Sequence, residues 1–117
     1  MKCININYKV PDENAEDVEK VLLEHGEFMN RTYVKGSEAI HPIHTYFTQS
    51  KELIDPLNPE KGFTGNTIFT LNEIWEKEED VIAHVSRASK APHFERFYAA
   101  NKYATVSLMG KVIFKLD

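Results

Sequence analysis

The side chains that could do chemistry gather in one stretch of the chain. Glu73 and Trp75 alternate along one face of an apolar strand, and His84 and His93 follow in the helical region after it. An imidazole with an ordinary pKa of ~6.5 exchanges protons near neutrality. His84 and His93 are therefore the candidate catalytic residues, as a general base or as groups that orient a phenolate. Trp75 offers an aromatic wall for a ring. Glu73 is costly to bury unpaired. It is expected either to pair with Arg87, Arg96 or His84, or to serve as an acid in a cleft. Each residue also has a structural role open to it. His84 can pack at the edge of its helix's apolar stripe, His93 can shape the junction at Pro92, and Trp75 can be a core aromatic.

A second group is weaker. His44 and Tyr46 share a strand face, and with Asn72, Glu73 and Trp75 they complete the candidate substrate-binding set. His41 and His44 are three apart, so an extended strand points them to opposite faces and they cannot chelate together. No cluster has the spacing of a structural zinc site, so no metal is expected. Gly62-x-x-Gly65 lacks a following lysine and a strand-to-helix setting, which excludes a phosphate loop. Cys3, the lone cysteine, reads as a small hydrophobe in a sheet.

These residues need a scaffold, and 117 residues suit one domain spanning the chain. A net charge of −4 without a basic run argues against nucleic acid. No apolar stretch approaches the ~20 residues that span a bilayer, so no membrane partner is expected. The N-terminus alternates rather than forming an apolar block, unlike a signal peptide. One cysteine allows no intrachain disulfide and fits a reducing cytoplasm.

The periodicity places the elements. Ile4, Ile6, Tyr8 and Val10 alternate with polar residues as a strand that Pro11 ends. Asn14 can cap a helix, with Glu16 and Asp17 in its first turn. Val18, Val21, Leu22, His25, Met29 and Tyr33 share one face of that helix. Gly26 weakens it or ends it early. Residues 40–49 read as a second strand with an irregular start at Pro42. Residues 50–66, with Pro56, Pro59, Gly62 and Gly65, read as a long loop of the kind used for lids. Residues 67–76 are the clearest strand. The acidic residues Glu76 to Asp80 open a helix whose stripe holds Val81, His84, Val85 and Ala88. Pro92 starts a further helical segment with Phe94, Phe97, Tyr98 and Asn101 on one side. Residues 105–116 form the last strand. The order β-α-β-β-α-β predicts an α+β, ferredoxin-like fold: a four-stranded antiparallel sheet with two helices on one face. The other face still carries apolar side chains, so a homodimer through the open sheet face is expected.

Glu73-Ile74-Trp75, then Glu79, Val81 and His84, then His93-Phe94 and Phe97, resemble the antibiotic biosynthesis monooxygenase-like branch of the dimeric α/β-barrel superfamily. The resemblance implies a pocket between sheet and helices, a small-molecule partner and no cofactor. Related members oxidise quinol- or phenol-type substrates. The interval from His84 to His93 is longer than that pattern by about one helical turn. Heme-degrading members of the fold use an Asn on the first strand with a Trp and a His on the second helix. Asn7 and His93 match two of these, and the helix Trp is absent. Two other functions remain open from sequence: a non-catalytic or stress-linked small-ligand binder, and an isomerase or lactone-processing enzyme of this fold.

Overall fold

The computed structural model describes residues 1–117, the whole chain. Strand β1 (Lys2–Pro11) leads into helix α1 (Ala15–Thr32), then strands β2 (His44–Leu53) and β3 (Phe63–Trp75), helices α2 (Glu78–Ser89) and α3 (Phe94–Ala99), and strand β4 (Ala104–Lys111). The sheet runs β2-β3-β1-β4 and every neighbouring pair is antiparallel. This is the ferredoxin-like arrangement, with all helices on one face.

The period of two decides what that face holds. Ile4, Ile6, Tyr8 and Val10 of β1 and Phe69, Leu71, Glu73 and Trp75 of β3 are all buried beneath the helices. Ile6 sits opposite Leu71 on one side and Val106 on the other. Burying each large apolar side chain contributes roughly 1.5–3 kcal/mol, so these central strands anchor the core. The reverse face carries a polar ladder. Asn5 Nδ2 donates to Asn72 Oδ1 at 3.0 Å, and Asn72 Nδ2 donates to Thr70 Oγ1 at 2.9 Å. Ile68 and Ile74 are only half-buried there.

Helix α1 buries Ala15, Val18, Leu22, His25, Phe28 and Met29 at helical spacing. Gly26 does not end it, because tertiary packing outweighs the propensity deficit of one glycine. Asn14 stands at the N-cap without a side-chain capping bond, so Glu16 and Asp17 carry the favourable interaction with the helix dipole.

The structure corrects several expected boundaries. The second helical region is two helices, α2 and α3, broken around Pro92 as that proline predicts. Strand β2 begins at His44 rather than residue 40. It then continues to Leu53, and β3 begins at Phe63 rather than residue 67, so both strands extend into the expected loop. Cross-strand pairing builds this polar arm: Lys51 faces Thr67 and Leu53 faces Phe63. Glu52 receives hydrogen bonds from Thr64 and Asn66 and pairs with Lys9 at 3.0 Å. The remaining connection is residues 54–62. It ends at Gly62, whose φ of +87° only glycine adopts readily. The last strand stops at Lys111 because its partner β1 begins opposite it, at Lys2. Ile113, Phe114 and Leu116 lie beyond that end and are exposed. A register shift between Cys3 and Asn5 accompanies a close approach at Gly110, where a Cβ would lie 2.7 Å from Cys3 Sγ. No helix is long and apolar enough to cross a membrane.

Candidate active site

The helix face of β3 delivers a carboxylate to the core at Glu73, 2% exposed. Three elements answer it with imidazoles. His25 takes a place in the apolar stripe of α1, His84 lies between Val81 and Ala88 on the buried side of α2, and His93 stands at the N-cap of α3. All three are at least nine-tenths buried. His84 Nε2 lies 3.2 Å from Glu73 Oε1, and Trp75 Nε1 donates to the same oxygen at 3.0 Å. His25 Nε2 lies 3.8 Å from Oε2, beyond hydrogen-bond reach.

The outer nitrogens are held as well. His25 Nδ1 is 2.9 Å from His93 Nε2, and His84 Nδ1 meets the Tyr33 hydroxyl. Arg87 Nη1 donates to that hydroxyl at 3.4 Å and sits over the Tyr33 ring. An accepting hydroxyl oxygen leaves its hydrogen free for His84 Nδ1, which puts the His84 proton on Nε2, facing Glu73. A row of polar groups thus runs Arg87, Tyr33, His84, Glu73, His25, His93, hydrogen-bonded throughout except across the 3.8 Å gap between Glu73 and His25. Phe97 stacks on His25 with centroids 4.1 Å apart, and Trp75 packs on His84 at 4.8 Å.

The electrostatics follow from burial and partners. Burial pushes the Glu73 carboxyl up, but the adjacent imidazoles of His25 and His84, the latter within hydrogen-bond distance, outweigh it and hold it at about 2. Glu73 is therefore ionised. Burial, and then the charge of His25, push His93 down and favour its neutral form. Burial raises the Tyr33 hydroxyl to about 12 against the pull of Arg87, so it remains a donor.

Beside the cluster lies a cavity of about 220 Å³. Its walls include Ile6, Leu71, Val85, Phe97 and Leu108, and its polar edge is His25, Glu73, His84 and Asn101. Asn101 Oδ1 is buried without a partner. Tyr98, Val106 and Leu108 are partly exposed at this site. A cavity of ~150 Å³ suffices for benzene, whereas drug-sized ligands take ~300 Å³ or more. The space suits a molecule of one ring. Two larger grooves, of about 420 and 330 Å³, are open to solvent and contain no converging buried cluster.

Of the residues singled out from sequence, Glu73 and His84 reach the cavity. Trp75 does not: it is completely buried behind His84, so its part is to donate to Glu73 rather than to stack on a ligand. His93 is buried against His25 and supports it from outside. His44, Tyr46 and Asn72 point to the opposite sheet face. The first two are exposed and Asn72 belongs to the polar ladder, so strand alternation separates them from the cavity. Asn7 is exposed on that same far face, which parts it from His93 and removes the heme-degrading pairing. Glu73 pairs with histidines and not with the arginines. Arg87 stops at Tyr33 and Arg96 bonds Glu24. Sequence reading missed His25, Tyr33 and Asn101 as site residues. The one available signal was a histidine inside an apolar helical stripe, with a glutamate on the buried face of a strand.

The chain is thus an α+β protein of ferredoxin-like fold, with a buried histidine–carboxylate cluster beside a cavity sized for one ring. Among solved structures, the chain is similar over its full length to a Deinococcus radiodurans protein that carries the provisional name antibiotic biosynthesis monooxygenase. The two share 14% identity and a TM-score of 0.53, with both chains covered completely. At that identity the likeness is one of fold. No protein-family model matches the sequence, and no curated protein matches it significantly.

Proposed function

We propose that this chain is a monooxygenase-like enzyme acting on a small aromatic, quinol-type substrate in the cavity between sheet and helices. The observation that carries the reading is the ionised Glu73, with His25 and His84, on the wall of a cavity sized for one ring. The gap of 3.8 Å between His25 Nε2 and Glu73 Oε2 leaves one unfilled bonding position in the cluster. A substrate hydroxyl placed there gives its proton to His25, and Glu73 stabilises the imidazolium. His84 and Trp75 fix the carboxylate, while His93 and Tyr33 orient the imidazoles. The resulting anion is electron-rich and supplies electrons to dioxygen. A quinol and one dioxygen give a hydroxyquinone and one water, so all the electrons come from the substrate. The apolar walls exclude water during this step. In this reading the chemistry rests on substrate, dioxygen and the side chains of the cluster.

The test is oxygen uptake with a one-ring quinol, comparing wild type with the double variant His25→Ala/His84→Ala. General acid–base loss predicts a fall of about 10²–10⁴-fold. Equal rates refute the assignment. One observation favours a second reading, non-catalytic ligand binding: both nitrogens of His84 are occupied inside the cluster. That reading predicts saturable quenching of Trp75 fluorescence by aromatic ligands without oxygen uptake.

The functional unit in this proposal is a cytoplasmic homodimer joined through the open sheet face. Support comes from Ile68, Ile74 and Tyr46 on a face no helix covers, and from the exposed Ile113, Phe114 and Leu116. Light scattering at micromolar concentration reads the mass directly, and a monomer refutes the dimer.

A further inference from the structure

We propose that His25 Nε2, His84 Nε2 and the Glu73 carboxylate together bind one first-row divalent metal ion, of the Zn²⁺ class, at the wall of the cavity. The site uses the residues of the proposed catalytic centre and replaces its His25 step, since a metal-bound Nε2 takes no proton; it follows from the donor geometry whatever the substrate is.

Three different elements bring these donors together: α1, α2 and β3. Their ligand atoms all lie within 4.8 Å of one another. A tetrahedral ion with bonds near 2.1 Å holds its donors about 3.4 Å apart. Glu73 Oε1 and His84 Nε2 are already 3.2 Å apart, and Glu73 Oε2 and His25 Nε2 are 3.8 Å apart. The second distance is too long for a hydrogen bond. Small side-chain rotations close the set around an ion.

The groups behind the donors fit the same conclusion. A metal-bound imidazole almost always gives its other ring nitrogen to a fixed polar partner, which sets the tautomer and aims the ring. Both histidines have that arrangement. His25 Nδ1 meets His93 Nε2, and His84 Nδ1 meets the Tyr33 hydroxyl, so both present Nε2 to Glu73. Trp75 Nε1 holds the carboxylate in place. On metal binding, the His84 proton leaves Nε2 and Nδ1 becomes the protonated nitrogen, donating to the Tyr33 oxygen, while His25 presents a bare Nε2 with Nδ1 directed at His93.

Charge points the same way. No lysine or arginine pairs with Glu73, although it is almost wholly buried. Arg87 is taken by Tyr33 and Arg96 by Glu24. The Glu73 carboxylate therefore has no permanent cation beside it in an apolar core, which is costly. A divalent cation compensates it. Two imidazoles and one carboxylate suit Zn²⁺, Fe²⁺, Co²⁺ or Mn²⁺. They do not suit Ca²⁺, which takes 6–8 oxygen ligands. Three protein ligands leave a further position open, the arrangement of catalytic rather than structural sites. Here it faces the cavity, whose lining also holds the unpartnered Asn101 Oδ1.

The experiment strips the full chain with a chelator, loads it with Zn²⁺, desalts it and measures bound metal by mass spectrometry. Co²⁺ loading gives a parallel optical readout. The expected result is one Zn²⁺ per chain and the visible absorption of a low-coordinate Co²⁺ site. Tyr33→Phe, which removes an outer partner, weakens binding roughly 10–100-fold. Glu73→Gln weakens it further, and circular dichroism checks that the variant is folded. His41→Ala/His44→Ala, which removes two histidines outside the cluster, leaves one ion bound. Wild type that retains no Zn²⁺ overturns the proposal, as does a stoichiometry that survives Glu73→Gln. Quinol oxidation is measured separately on the chelated protein. Quinol oxidation by the chelated protein, together with failure to retain Zn²⁺ on reloading, overturns the metal site and leaves the catalytic reading standing. Metal retention without any quinol oxidation supports the metal site and removes the catalytic reading.

Discussion

Replacing Glu73 with glutamine keeps the shape of a buried side chain and removes its charge. The folded protein holds the Glu73 carboxyl at about 2, against an ordinary value of 4.5. Each pKa unit is worth about 1.36 kcal/mol of differential interaction. The difference therefore corresponds to about 3 kcal/mol by which the folded state favours the ionised form at pH 7. The folded pKa is depressed, so this contribution is complete above the unfolded value and disappears as pH falls through the folded one. Less than half of it remains near pH 3. Glutamine can still accept a hydrogen bond from Trp75 or His84, so the measured loss lies at or below this figure. The assay is urea unfolding of wild type and Glu73→Gln in chelator, at pH 7 and at pH 2.5 to 4. The expected difference is about 3 kcal/mol at pH 7, shrinking steadily towards acid. A difference independent of pH, or a variant more stable than wild type at pH 7, refutes the idea that His25, His84 and Trp75 hold a buried anion.

Gly110→Ala places a Cβ 2.7 Å from Cys3 Sγ, 3.0 Å from Ser107 Oγ and 3.3 Å from the Cys3 carbonyl oxygen. It is expected to cost about 1–3 kcal/mol. Cys3→Ala in the same chain should recover part of that loss in urea unfolding, because it removes the sulfur but not the carbonyl. Leu71→Ala truncates a fully buried wall of the cavity. It should destabilise by about 2–5 kcal/mol and shift binding preference from one-ring towards two-ring aromatics, read by Trp75 fluorescence. Tyr33→Phe leaves His84 Nδ1 without its partner. A loss of about 1–3 kcal/mol is expected, with nitrogen NMR showing a changed His84 tautomer. An unchanged His84 spectrum contradicts the proton assignment in the Arg87-to-His93 chain.

Much of the scaffold is legible from periodicity, because burial on one face imposes it. Phe69, Leu71, Glu73 and Trp75 alternate with Ile68, Thr70, Asn72 and Ile74, and the structure buries the first set under the helices. The α1 stripe is equally plain. The length of the β2–β3 arm is not legible. Residues 50–66 are rich in proline, glycine and charge, and their local preferences favour a loop. Pairing of Lys51 with Thr67, and the bonds to Glu52, override that preference. The expected extension of β4 to residue 116 fails for the converse reason. Its alternating Val112, Phe114 and Leu116 have strand character, but β1 offers no partner past Lys2.

By itself the sequence determined the βαββαβ order, the buried face of β3, and the candidacy of Glu73 and His84. Local periodicity is enough for these, since each follows from residues close along the chain. Only the tertiary structure decided which side chains meet. His25 lies 48 positions before Glu73 and looked like one more member of an apolar stripe, yet it faces the carboxylate. Trp75 looked like a ligand wall and is instead sealed behind His84 as a donor to Glu73. His44, Tyr46 and Asn72 looked available to the same pocket and fall on the far side of the sheet. The physical reason is common to all of them. Spacing along one element specifies the direction in which a side chain leaves the backbone, while its neighbours there are set by how separate elements pack.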